Sequence, residues 1–187
     1  MVEVSGLAVK TIPLFIKEYF GDEGFEKWSN KLDSEVAELF KKPIVVNNWF
    51  NIQDIFIRPL EILCDLFYNG DKKSAWQLGR FSADYGLKGV LKAFIKLGSV
   101  NYFIKRSVAV IPNYYRHIVM TVPANETRYA LLRITDFPDI SELVEYRIGG
   151  WMERALEIST SSEELQVKIT KSLARKDEYT EFEVRWS

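Results

Sequence analysis

The sequence holds one histidine, His117, and one cysteine, Cys64. A lone cysteine forms no disulfide within a chain, and a zinc site or a catalytic triad needs several such groups together. We expect His117 at the surface beside the first strand of a sheet, and Cys64 as an inert buried thiol in an apolar stretch. There is also no glycine-rich phosphate motif after a strand. The chain is therefore interpreted as a binding protein without a cofactor or a metal, not as an enzyme.

Neither sign of charge dominates, since Lys and Arg number 25 and Asp and Glu number 26. Without a strongly basic surface, nucleic acid is not expected as a partner. No apolar run reaches the length of a membrane span and no signal peptide is visible, so we expect a cytoplasmic protein with no membrane span. Aromatic residues are abundant: 5 Trp, 9 Tyr and 12 Phe predict a bulky core or an aromatic-lined pocket, and a core is the commoner use.

The first half of the chain shows the periodicity of helices. Gly21 is expected to end the first helix, Pro59 to kink or split the third, and Ser99 to cap the fifth. The predicted helices cover residues 11–21, 25–40, 51–67, 74–97 and 99–110.

The pattern changes after Pro112 to alternating apolar and polar residues, which predicts strands. A turn is expected at Pro123–Asn125 between the first two strands, and a long helix with Trp151 on its inner face should separate the two hairpins. The predicted strands cover residues 118–122, 128–135, 165–171 and 180–186. This β-β-α-β-β order predicts an α+β fold, in which an N-terminal helical block packs on a four-stranded antiparallel sheet. We expect one domain over residues 1–187, with a helical region at residues 1–111 and a β-β-α-β-β region at residues 112–187.

Carboxylates occur in pairs along the start of that helix, at Asp136 and Asp139 and at Glu142 and Glu145. An acid catalyst needs a cleft and a raised pKa, and the sequence shows neither. Asp139 and Glu142 are better explained as acidic residues at the positive end of the helix dipole.

Two C-terminal segments resemble the V4R (4-vinyl-reductase-like) family. Gly150-Trp151-Met152-Glu153 is similar to the Gly-aromatic-aliphatic start of the V4R helix before the last hairpin, and residues 172–184 resemble the closing V4R segment, Cys-x-Ala-x-Gly-Asp-x-x-Cys followed by an Arg-Phe-Glu-like strand. The β-β-α-β-β order behind a helical block adds to this likeness. By both features the chain resembles the superfamily of V4R small-molecule-binding domains, heme–nitric-oxide-binding sensor domains and TRAPP vesicle-tethering subunits. Leu78-Gly79-Arg80 and residues 111–115 are similar to bacterial paralogues, best known from myxobacteria, that we place on the same fold.

The sequence also departs from these families at the residues that bind their cofactors. Ser172 and Thr180 stand where V4R domains have cysteines, and a hydroxyl is a poor ligand for a soft metal. Heme sensors carry a proximal histidine on the helix before the sheet, and residues 99–110 contain none. Their Tyr-x-Ser-x-Arg clamp for the heme propionates has no counterpart either. The resemblance therefore implies a member of the superfamily without heme and without a V4R-like metal site.

Two functions from different classes follow. The first is a heme-free sensory domain of bacterial signalling type, which binds a small apolar or aromatic ligand between the helical block and the sheet. Phe94, Tyr115 and Trp151 are the candidate ligand-binding residues. The second is a protein-interaction module with a filled core, as in the TRAPP-like branch, and for either function we expect a homodimer. An enzyme ranks third, because no set of residues can be assigned catalytic roles.

Overall fold

The first half of the chain folds into helices joined by short turns. The computed structural model describes residues 2–88, 99–138, 140–160 and 164–187. The helices are α1 (Gly6–Val9), α2 (Thr11–Ser29), α3 (Ser34–Phe40), α4 (Arg58–Phe67), α5 (Ala75–Lys88) and α6 (Val100–Val110). Ser99 caps α6 as predicted, because its hydroxyl accepts a hydrogen bond from the Tyr102 amide.

Glycine and proline mark irregularities in two of the predicted helices. Gly21 has a non-helical backbone, with φ of 69° and ψ of −174°, and so ends the first helical stretch of α2 as predicted, while a second stretch continues across the kink to Ser29. Pro59 lies in the first turn of α4, and a π-helical turn over Gln53–Ile57 leads into that turn, with the Arg58 amide donating to the Gln53 carbonyl. The irregularity predicted at Pro59 is therefore a change from π-helical to α-helical hydrogen bonding just before it, and the helical backbone is not split.

The second half forms the predicted antiparallel sheet. Its strands are β4 (Val119–Glu126), β5 (Tyr129–Asp136), β6 (Leu165–Lys171) and β7 (Thr180–Trp186), in the order β4-β5-β7-β6. Helix α7 (Glu142–Ser159) connects the two hairpins. Its inner face, predicted from the sequence, is buried in the core. The strand that ends the chain is therefore an inner strand of the sheet.

The turn predicted at Pro123–Asn125 is wrong. These residues lie within β4, and the chain reverses at Thr127 and Arg128 instead. The register of β4 against β5 shifts between Thr121 and Ala124, which lets a strand accommodate a proline that cannot donate a ladder hydrogen bond.

A second, smaller sheet was not predicted. Strand β1 (Glu3–Ser5) pairs on one side with β2 (Trp49–Asn51) and on the other with β3 (Tyr115–Arg116), both antiparallel. This sheet fixes the start of the chain beside the segment that leads from α6 into the main sheet. It therefore holds Tyr115 against the helical block.

Helices α5 and α7 pack with their backbones in contact, because glycines lie at the crossing. A Cβ atom on Gly79 would overlap the carbonyl of Arg147, and one on Gly150 would overlap the carbonyl of Trp76. Beside the crossing, Arg80 forms an ion pair with Glu153 at 2.5 Å. Two of the four segments that carried the family resemblance, residues 78–80 and 150–153, are thus in direct contact.

One contiguous apolar core includes residues from both halves of the chain. No helix in the described ranges is both long enough and apolar enough to cross a membrane.

Candidate functional site

A small cavity lies where α6, the segment after it, β4 and α7 meet. Its volume is about 20 Å³, which is room for roughly one water molecule. Every side chain that lines it is buried. The lining residues are Ser107, Val110, Ile111, Tyr114, Tyr115, Met120, Arg147, Ile148, Trp151 and Met152.

Two of the three predicted ligand-binding residues line this cavity. Tyr115 reaches it from β3 and Trp151 from α7, and their exposed fractions are 2% and 7%. Phe94 lies outside the described residues. The structure thus brings Tyr115 and Trp151 together from positions that are distant in sequence.

One side of the cavity is aromatic. The Trp151 indole donates a hydrogen bond of 2.9 Å to the Tyr114 hydroxyl, and the two rings meet edge to face with centroids 5.4 Å apart. Because an indole N–H can only donate, the Tyr114 oxygen is the acceptor and its own hydrogen remains available. Burial raises the pKa of Tyr114 well above its usual range, so this group stays a neutral phenol.

Arg147 supplies the positive charge of the cavity, and it was not among the residues predicted to bind a ligand. Its side chain is 1% exposed. Nη2 donates to the Ala8 carbonyl at 3.2 Å and to the hydroxyls of Thr11 and Ser82 at 3.0 and 2.9 Å. These bonds fasten α7 to α1, α2 and α5, and each partner is neutral. The guanidinium also lies over the ring of Phe56, with Cζ 4.8 Å from its centroid.

The remaining contacts of Arg147 leave donors unused. Nη1 donates to the Tyr115 hydroxyl at 3.0 Å, whereas the buried Nε has no hydrogen-bond partner. Tyr115 accepts from Arg147, and among the residues that the structure describes nothing accepts its phenolic hydrogen. Burial has the largest effect on the pKa of Tyr115 and raises it. The positive charge of Arg147 and its hydrogen bond lower that pKa by less. No acidic residue in the described part of the chain lines the cavity.

A second buried charge lies two residues earlier on the same helix. Glu145 is 1% exposed and accepts hydrogen bonds from the hydroxyls of Ser172 and Thr180 and from the Ala174 amide. Ser172 and Thr180 are the residues that stand in place of the V4R cysteines. They therefore serve here as donors that hold a carboxylate, and the helix-start explanation of the acidic residues does not extend to Glu145.

The signal for Arg147 was present in the sequence. Val144, Arg147, Ile148 and Trp151 follow the i, i+3, i+4, i+7 spacing of one helical face. A charged residue at such a position is either buried or extends along the edge of the apolar stripe, and the sequence does not distinguish these two cases.

The single histidine and the single cysteine of the chain lie away from the cavity. His117 is at the surface with an exposed side-chain fraction of 67%, in the position expected for it. Cys64 is buried on α4, where its sulfur lies 3.2 Å from the Ser74 hydroxyl, and burial raises the pKa of its thiol. Within the described ranges no group of three or more His, Cys, Asp or Glu residues is arranged to hold a metal ion.

Comparison with known proteins identifies the fold. No protein-family model and no curated protein matches the chain. Among solved structures, it is similar to an Fe(II) unliganded H-NOX protein from K. algicida, with a TM-score of 0.71, 9% identity and coverage of 98% of this chain and 96% of that one. It is also similar to an H-NOX protein from S. oneidensis in the Fe(II) ligation state, with a TM-score of 0.73, 10% identity and the same coverage. The chain therefore has the fold of H-NOX domains, that is, of heme–nitric-oxide-binding domains.

The described residues do not fit the heme that this fold implies. At about 20 Å³ the cavity has no room for a heme or for a drug-sized ligand without displacement of side chains, so the case against heme rests on the axial ligands. The one histidine of the chain, His117, is exposed, and the one cysteine, Cys64, does not line the cavity. Tyr114 and Tyr115 are engaged by Trp151 and Arg147, and their raised pKa values disfavour the phenolate that iron binds.

Proposed function

We propose that this chain is a sensory domain with the H-NOX fold that binds a small apolar or aromatic molecule instead of heme. The observation that best supports this function is the buried cavity between the helices and the main sheet. Aromatic and aliphatic side chains line it around Arg147, whose hydrogen bonding is incomplete. An unsatisfied buried donor costs about 1–3 kcal/mol, so a ligand that accepts a hydrogen bond from Arg147 Nε would recover that cost. The H-NOX neighbours support the sensory role by fold, although those proteins are studied for their heme and its ligands.

The cavity can enlarge without a change of fold. Met120 and Met152 line it, and methionine side chains adapt readily because they are unbranched and flexible. Trp151 closes the same space and is held by one hydrogen bond to Tyr114. A ligand larger than water would enter by displacing these side chains.

A second candidate is the interaction module with a filled core. The observation that favours it is the small volume of the cavity, which leaves this region almost solid. Such a protein would act through its surface, as a homodimer or with another protein, and would need no ligand.

Native mass spectrometry of the freshly purified chain separates the two functions. We expect a protein mass increased by one small molecule, which is lost on collisional activation. A ligand-free homodimer, with no small molecule bound in any preparation, would instead support the interaction module.

We expect the purified protein to be colourless. Addition of one equivalent of hemin should give no Soret band beyond that of free hemin, because His117 is exposed and the two tyrosines of the described cavity wall are engaged by Trp151 and Arg147. The His117→Ala variant is the matched control and should give the same spectrum. A strong Soret band that His117→Ala abolishes would contradict the heme-free assignment.

A further inference from the structure

Arg147 is a buried cation whose hydrogen-bond partners in the described chain are all neutral. Its side chain is 1% exposed, and its bonds go to a backbone carbonyl and to the hydroxyls of Thr11, Ser82 and Tyr115. A buried charge is expensive unless it is paired, and a guanidinium is not neutralised by loss of a proton. Its Nε, also buried, has no partner at all.

The unused donors belong to residues of the same cavity wall. Besides Nε of Arg147, the wall includes the hydroxyls of Tyr114 and Tyr115, which accept bonds from Trp151 and Arg147 and donate to none of the described residues. Among the described residues, the wall thus combines one positive charge with three donors and holds no acidic side chain. The rest of the lining is largely apolar, which suits the body of a ligand and not its polar group.

We propose that the ligand of this cavity is a carboxylic acid whose carboxylate binds Arg147. The inference rests on the proposed function, because it names the chemical class of the bound molecule. A carboxylate brings the missing negative charge and accepts several hydrogen bonds at once, so it satisfies Nε and the two phenols together. The apolar side of the cavity, with Ile148 and Met152, receives the remainder of the acid.

Matched pairs of acid and amide test the charge directly. The probes are formate with formamide and benzoate with benzamide, each titrated into the full chain and followed by calorimetry and thermal shift. Each acid should bind about 10- to 100-fold more tightly than its amide, the range expected for charge-assisted hydrogen bonds. Inorganic phosphate is included, and we expect it to bind more weakly than either acid.

Variants assign the effect to the cavity. Arg147→Met should remove the preference for the acid, and the change keeps the volume of a long side chain, which a buried site often tolerates. Tyr115→Phe, which keeps its ring, should weaken acid binding about 10-fold and serves if Arg147→Met does not fold. Arg154→Met is the matched control: Arg154 lies on the same helix but pairs with Asp84 and Glu157, so the preference should persist.

The outcomes separate the two proposals. Equal binding of acid and amide, or an acid preference that survives both cavity variants, would overturn the carboxylate inference while leaving ligand binding intact. Binding of phosphate but not of either acid would replace carboxylate by phosphate. Absence of binding by every probe, with no small molecule seen by native mass spectrometry, would overturn the proposed function itself.

Discussion

Truncation after Ala174 is expected to abolish folding. The deletion removes β7, which lies between β5 and β6, so β6 loses the strand it pairs with and β5 loses one of its two partner strands. It also removes Phe182 and Val184, which are fully buried. Loss of a buried Phe side chain alone costs about 3–5 kcal/mol, a large share of the 5–15 kcal/mol that stabilises an ordinary domain.

Circular dichroism and solubility measurements check this result. Single substitutions on β7 provide the control, because neighbouring residues of a strand face opposite sides. Val184→Ala should lower the melting temperature clearly, whereas Arg185→Ala, at an exposed position, should change it little. A truncated chain that stays soluble and melts like the full-length protein would refute the assignment of β7 to the centre of the sheet.

Trp151→Ala is expected to lower the free energy of unfolding by about 3–5 kcal/mol, as for other large-to-small changes in a packed core. Trp151 is almost entirely buried and contacts the ring of Tyr114. The cavity that it borders has a volume of only about 20 Å³, so the packing around the indole is dense. Removal of the indole would therefore leave a new hole and an unsatisfied Tyr114 hydroxyl. Chemical denaturation of the variant gives the value directly.

A double-mutant cycle separates packing from hydrogen bonding at this position. Trp151→Phe keeps a ring and loses the Nε1 donor, and Tyr114→Phe removes the acceptor, so the cycle should show a coupling of about 0.5–1.5 kcal/mol. If Trp151 instead served only to line a ligand pocket, Trp151→Ala would reduce ligand affinity with little loss of stability. An unchanged melting temperature and unchanged binding would mean that Trp151 is exposed.

Local patterns were sufficient for most of the helices and for the main sheet. Alternation identified β7, and Ser99 marked the start of α6, where its hydroxyl accepts a capping hydrogen bond. The small sheet could not be found in this way. Its strands have three, three and two residues, too few to show alternation, and β1 pairs with segments about 45 and 110 positions further along the chain.

The candidate site was only partly predicted, for a similar reason. Aromatic content and the helical stripe pointed to Tyr115 and Trp151, because large rings in such positions are usually buried. Arg147 was missed because the sequence gives its charge and its place on the stripe but not its burial. Burial depends on Ala8, Thr11 and Ser82, which reach the guanidinium from three other helical segments. Such tertiary contacts leave no periodic trace in the sequence.

The two buried charges of α7 have a consequence for cooperativity. Arg147 joins the helix to the first half of the chain, and Glu145 joins it to the turn between β6 and β7. Detachment of either region would remove hydrogen bonds from a charged group, and each such bond contributes about 1.5–3 kcal/mol. Partial opening is therefore penalised on both sides of the helix. A substitution in the helical block and one in the last hairpin should accordingly displace the same unfolding transition.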